Sequence, residues 1–248
     1  MRSPLVRLSR ARALAAALAV ATVLAAALGT GTAPPARAMG PLPACRYDDI
    51  LTAPRSYADW SMTLVDTILR VPSTYAPPDL VATSEAGLAG GGQVRAVALA
   101  DLTAMAAAAK AAGAPIAVQS AYRSYSQQKT TFDHWVAVDG YKGALKVSAR
   151  PGHSEHQLGT TIDFRSARST KAPWDYPDWA KTAAGSWMAA NAWKYGWVMS
   201  YPKGKSDVTC YDYEPWHYRY YGRALAAKIH DSNKVPRGYL WTHFESRP

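Results

Sequence analysis

The chain has 248 residues and a formal charge of +10; Arg2, Arg7, Arg10, Arg12 and Arg37 fall in its first 38 residues, with no acid among them. The remainder keeps only half of that basic excess and has no run of like charge, which argues against nucleic acid as a partner. With 48% apolar and 11% aromatic residues, disorder is excluded and a single domain with a substantial core is expected.

In chain order, Leu14 to Leu28 is an Ala/Leu/Val run behind the arginine-bearing start, followed by Ala36-Arg37-Ala38, a small-x-small site of the signal-peptidase type. The run is short and weakly apolar for a membrane span of ~20 residues, so residues 1–38 are expected to be a cleaved export signal. No second apolar run of spanning length follows. Export places the chain where thiols oxidise, and its two cysteines, Cys45 and Cys210, are expected to form one disulfide. The alternatives are two unrelated buried thiols or lipid attachment at Cys45, within Leu42-Pro43-Ala44-Cys45.

Trp60, Leu64 and Ile68 have near-helical spacing and predict a short helix capped by Asp59 and ended before Pro72. Val71 to Gly92 reads as an extended connection. Val94 to Ala112 presents Leu99, Leu102, Met105 and Ala109 on one helical face, with Gly113 as the stop. Pro115–Gln119 reads as a strand. Ser124-Tyr125-Ser126-Gln127 matches a capping box that opens another helix and puts Tyr122 and Arg123 at a strand-to-helix corner. Lys142 to Arg150 gives a weak signal, and Thr160–Phe164 alternates as a strand. A helix is expected from Pro177 to Tyr195, stopped by Gly196. Strands are expected at Trp197–Tyr201 and Tyr211–Tyr220, and a short helix at Tyr221–His230; Val235–Pro248 is unassigned. The order predicts α+β, a small antiparallel sheet flanked by helices.

Two segments carry chemistry: Ser154-Glu155-His156-Gln157-Leu158-Gly159-Thr160-Thr161-Ile162-Asp163, and Glu214-Pro215-Trp216-His217. A zinc hydrolase needs three protein ligands and an open fourth position, and imidazole with carboxylate is a standard mixture. His156, Asp163 and His217 would supply that set. A carboxylate must also carry the proton from water to the departing amine, and Glu214 is the candidate. A histidine beside Ser and Glu is more often a hydrogen-bonded residue than a ligand, so each motif alone persuades little. Their joint occurrence at strand edges of an exported chain carries the metal reading. His153, three residues before His156, is also within reach of a metal on this evidence.

Three stretches together resemble the VanY-type zinc D-alanyl-D-alanine carboxypeptidases: Ser120-Ala121-Tyr122-Arg123-Ser124-Tyr125 with Gln128; Pro151-Gly152-His153-Ser154-Glu155-His156-Gln157-Leu158-Gly159 with Asp163; and Trp193-Lys194-Tyr195-Gly196-Trp197 through Tyr201-Pro202 to Glu214-Pro215-Trp216-His217-Tyr218-Arg219-Tyr220. The resemblance covers roughly residues 94 to 225. It implies His156, Asp163 and His217 as Zn2+ ligands, Glu214 as general base, Arg123 as a catalytic and substrate-binding group, and Gln128 and Ser154 beside the substrate. The implied fold is the hedgehog/D,D-peptidase type. The division expected is residues 1–38 as signal, 39–93 as an N-terminal helix and connection, 94–231 as the zinc peptidase domain and 232–248 as a tail.

A guanidinium at position 123 suits the chemistry, because hydrolysis at a chain end sets an oxyanion beside a free carboxylate; a structural salt bridge is its plainer role. The sequence departs from the family at Ser200, where arginine is common before Tyr-Pro, at Cys210, where glycine is usual, and at His153, where tyrosine is common. Ser200 bears on substrate range, and Cys210 is explained if it pairs with Cys45. Of Tyr211, Tyr213, Trp216, Tyr218 and Tyr220, strand alternation assigns about half to the core. The resulting expectation is a secreted, cell-wall-associated monomer that releases terminal D-alanine from peptidoglycan stem peptides, its basic surface favouring an anionic wall. The rival readings are a zinc endopeptidase on wall peptides and a non-catalytic wall-binding module.

Overall fold

The computed structural model describes residues 40–245; the export-signal reading of residues 1–38 lies outside them. Two short strand pairs come first. Strand β1 (Ile50–Leu51) runs parallel to β2 (Leu69–Arg70), and β3 (Leu80–Ala82) antiparallel to β4 (Gln93–Arg95). Helix α1 (Ala96–Ala111) then buries Ala98, Leu102, Met105 and Ala109 along one stripe and is followed by Gly113 in the left-handed region. Strand β5 (Ile116–Ser120) leads to helix α2 (Tyr125–Val147), opened by the Ser124–Gln127 capping box and broken at Gly140, whose φ is 71°. The piece beyond the break packs Ala144 and Leu145 on Phe132, which is where the sequence signal was weak.

Strand β6 (Thr161–Ser166), helix α3 (Ala183–Asn191), strand β7 (Trp197–Met199), helix α4 (Ser206–Thr209), strand β8 (His217–Tyr220) and helices α5 (Arg223–Asp231) and α6 (Pro236–Glu245) complete the chain. The main sheet is antiparallel, in the order β5-β6-β8-β7. Alternation gives β6 and β8 two faces. Ile162, Phe164, Tyr218 and Tyr220 join Leu102, Met105, Val118, Trp179 and Trp197 in the main core. Thr161, Asp163, His217 and Arg219 alternate with them, and the register sets Asp163 opposite His217.

The structure corrects four expectations. Residues 60–68 are not helical: a 3-10 turn at Tyr57–Asp59 precedes an irregular stretch in which residues 63–69 are all buried, more than one helix face can supply. Asp59 accepts from the Ser56 backbone instead of capping a long helix. The connection from Val71 to Gly92 contains β3 and a 3-10 turn at Thr83–Ala86. The helix expected at Pro177–Tyr195 is interrupted, because Thr182 caps a new start by accepting from the Gly185 amide, and α3 is flanked by 3-10 turns at Trp179–Lys181 and Ala192–Tyr195. Tyr211–Trp216 is loop, since Pro215 offers no amide to a ladder and His217 N donates back to the Glu214 carbonyl.

Two ties fasten the ends of the described chain. Cys45 and Cys210 form a disulfide with Cα atoms 5.3 Å apart, across 165 residues; loop-closure entropy alone makes such a link worth up to about 5 kcal/mol. Cys210 sits at φ 67°, a left-handed position that is cheap for glycine and costs another residue roughly 1 kcal/mol. The unassigned C-terminal stretch supplies α6, whose Leu240 and Trp241 pack on Leu64, Ile68, Tyr221 and Ile229. Its Arg237 donates to the buried Asp66 carboxylate at 2.6 Å.

Candidate active site

His156, Asp163 and His217 arrive from three different elements. His156 lies on a 3-10 turn, Glu155–Leu158, that starts at Ser154 and ends at Gly159 with φ 72°. Asp163 is on β6 and His217 opens β8. His156 Nδ1 donates to the Ala121 carbonyl at 2.7 Å, which leaves Nε2 bare and 3.1 Å from Asp163 Oδ2. His217 Nε2 donates to Glu155 Oε2 at 2.9 Å, which turns Nδ1 toward Asp163 Oδ1, 3.0 Å away. One ligand atom from each of the three lies within 4.8 Å of the others, and all three residues are buried. Asp163 Oδ1 has no hydrogen-bond donor although it is buried. A carboxylate with one orphaned oxygen, set between two imidazole nitrogens that are each oriented through the other ring nitrogen, fits a divalent ion.

The electrostatics point the same way. Burial would push the Asp163 carboxyl up, but the two imidazoles hold it well below the usual carboxylate range. Burial would lower His217, yet the carboxylates of Asp163, Glu155 and Glu214 around it raise it to about 10. Burial keeps the pKa of His156 below its ordinary value. The carboxylates therefore concentrate negative potential at this point, and a divalent ion would take the place of a proton. Glu214 Oε2 is 3.4 Å from His217 Nδ1. Burial pushes this carboxyl up to about 8, against the pull of His217; a divalent ion beside it would favour the ionised form, the one that accepts a proton.

The cluster floors a cleft of about 830 Å3, lined by Arg123, Ser154, Trp174, Tyr213, Glu214 and Trp216 among others. Arg123 stands at the corner between β5 and α2. Its Nη2 donates to Ser120 Oγ at 3.0 Å and lies 3.9 Å from Asp163, and its Nη1 donates to Gln128 Oε1 at 2.7 Å. Gln128 is buried and spends its amide nitrogen on the Ala149 carbonyl at 2.7 Å. Both ends of that side chain are committed within the protein, so at the cleft wall it steadies Arg123. Ser154 Oγ accepts from the His156 amide at 3.3 Å and keeps its hydrogen for the cleft.

His153 is not part of the cluster. Its ring bonds the Asp66 carbonyl at 2.7 Å and Asp49 at 2.9 Å, because the Pro151-Gly152 turn aims it at the N-terminal segment. Ser200 is also away from the cleft wall: it is buried, and its hydroxyl donates to Glu155 Oε2 at 2.6 Å. The aromatic group divides, with Tyr218 and Tyr220 in the core and Tyr211, Tyr213 and Trp216 at the cleft. Sequence reasoning passed over three residues. Glu155 was visible only as a neighbour of His156, yet on the 3-10 turn its side chain diverges and reaches His217. Arg219 is fully buried and donates to Glu155 Oε1 and to the Trp60 and Thr63 carbonyls. Trp174 is half exposed and meets Trp216 edge-on at 5.9 Å.

Two histidines and an aspartate converge beneath an open cleft with a buried carboxyl alongside, a set that could hold one divalent ion. The chain belongs to the VanY family, whose model, described as D-alanyl-D-alanine carboxypeptidase, matches residues 91–223. It is 43% identical over 133 residues to YodJ of Bacillus subtilis (strain 168), named as a carboxypeptidase, covering 54% of this chain and 48% of that one. To a D-alanyl-D-alanine carboxypeptidase of Enterococcus faecium it is 32% identical over 125 residues, covering 50% and 35%. The chain thus spans about half or less of these curated relatives. Among solved structures, the LdcB LD-carboxypeptidase is similar at 36% identity and TM-score 0.63, covering 71% of this chain and 83% of that one. A vancomycin-resistance D,D-pentapeptidase VanY in complex with Zn(II) is similar at 28% identity and TM-score 0.62, covering 73% and 99%. The fold is the one shared by these peptidases.

Proposed function

We propose that this protein is an exported, zinc-dependent carboxypeptidase that releases the terminal D-alanine from peptidoglycan stem peptides. The observation that carries the reading is the convergence of His156, Asp163 and His217 around the orphaned Asp163 Oδ1 on the cleft floor. The names of the relatives support the substrate class, and the arginine-bearing apolar start with its small-x-small site supports export.

A divalent ion held by the three residues would polarise the scissile carbonyl and make a nucleophile available at neutral pH. Glu214 takes the proton of the attacking water and delivers it to the departing amine. Arg123, pre-set by Ser120 and Gln128, neutralises the terminal carboxylate or the oxyanion that develops beside it. Burial of the floor strengthens each of these interactions.

The 36% identity to LdcB favours a second reading, hydrolysis of an L,D bond. D-alanine release from defined pentapeptides and tetrapeptides separates the two. Turnover should disappear on chelation and return with zinc, and Glu214→Ala should lower it about 10²–10⁴-fold while zinc stays bound. Undiminished turnover in Glu214→Ala would remove the assigned base, and release of internal fragments only would move the reading to an endopeptidase.

A further inference from the structure

We propose that Glu155 is a positioning residue for the metal site, acting through His217, and that Ser200 and Arg219 hold it in place; this rests on the zinc reading above. The carboxylate is buried and fully engaged. Oε2 accepts from His217 Nε2 at 2.9 Å and from Ser200 Oγ at 2.6 Å, and Oε1 accepts from Arg219 Nη1 at 3.3 Å. Imidazole has two nitrogens, and the one that keeps its hydrogen is set by its partner. An acceptor on Nε2 fixes the hydrogen there and leaves the Nδ1 lone pair facing Asp163 and the cleft. Without that acceptor the ring is free to turn or to change tautomer, and the site loses a pre-set ligand.

The holders give Glu155 its fixed direction. Arg219 is anchored from behind by the Trp60 and Thr63 carbonyls, at 2.9 and 2.7 Å, and by Tyr221, whose ring centre is 4.7 Å from its guanidinium carbon. Ser200, whose own amide donates to the His217 carbonyl at 3.2 Å, approaches from the end of β7. The irregular stretch around residues 60–63 is thereby linked to the metal position through Arg219, Glu155 and His217. Residue 200 belongs to the support of the ligand set.

Zinc affinity, measured by competition with a chromophoric chelator, tests this independently of turnover. Glu155→Gln should weaken zinc binding about 10–100-fold. Ser200→Ala should weaken it several-fold, and Ser200→Thr, which keeps the hydroxyl, should restore it. In the zinc-loaded wild type, the His217 Nε2 proton should appear by NMR as a slowly exchanging, downfield resonance, and Glu155→Gln should shift it upfield. If Glu155→Gln does not fold, the Ser200 pair decides the matter. Folded variants with unaltered zinc affinity and an unmoved resonance would overturn the proposal and leave the zinc reading standing. A wild-type protein that binds no zinc would overturn the zinc reading itself.

Discussion

On one face of β6 and β8, Ile162, Phe164, Tyr218 and Tyr220 meet α1 and Trp197 through shape; on the other, Asp163, His217 and Arg219 meet charged and polar groups. The strands, register and burial are common to both, so the difference lies in the kind of force. Apolar contact is non-directional, and a core absorbs a small change of volume at modest cost. A buried charge has no such tolerance, because each partner removed leaves another group unsatisfied. The lesson is that the polar face behaves as one unit while the apolar face behaves as a sum.

Arg219→Met is the strongest way to break that contrast. It leaves the buried Glu155 carboxylate short of a counter-charge and orphans two carbonyls, so urea unfolding should show a loss of about 3–5 kcal/mol. A loss below about 1 kcal/mol would mean that the polar face is not interdependent.

Acid should act on the same face. Burial pushes Glu155 up, but its hydrogen bond from His217 and the Arg219 charge prevail and hold it near 2, below its ordinary 4.5. A depressed carboxyl stabilises the fold fully above about pH 4.5 and ceases to do so as the pH falls toward 2. Burial lowers His153 and His156 from 6.5. They charge more readily in the unfolded chain, so their contribution starts to fall below about pH 6.5. Glu214, raised to about 8, opposes these histidines between about pH 8 and 4.5 because it binds its proton more readily in the folded chain. Chemical denaturation should therefore show its clearest decline below about pH 4.5, where Glu155 loses its contribution. A stability that rises on acidification below about pH 4.5 would refute the sign.

Ile162→Val sharpens the comparison from the other side. It removes one methylene from the main core and should cost about 0.5–1.5 kcal/mol, equally at pH 7 and pH 5, with zinc affinity unchanged. A changed zinc affinity would show that the two faces are coupled through the strand.

Legibility in the sequence followed the same division. The α1 stripe, the Ser124 capping box and β6 were readable because period and caps are local signals. The convergence of His156, Asp163 and His217, with Glu214 beside them, was foreshadowed because these residues stand in short motifs, and because those motifs resemble a family. Trp60, Leu64 and Ile68 misled, since apolar residues at helical spacing do not reveal that Thr63, Val65, Asp66 and Thr67 between them are buried too. Their backbone is satisfied from afar: Arg219 takes the Thr63 carbonyl, Arg150 the Thr67 carbonyl, and Asp66 its own neighbours' amides. Pro215 was the overlooked sign that the last strand begins only at His217. Glu155 and Ser200 could not be paired from sequence, being 45 residues apart in segments with no shared pattern.

The most direct measurement is zinc content of the purified protein beside Asp163→Asn. One zinc per chain in the wild type, lost in the variant whose overall fold persists by circular dichroism, is the predicted result. Equal zinc in both, or none in the wild type after incubation with the metal, would contradict a site built on His156, Asp163 and His217.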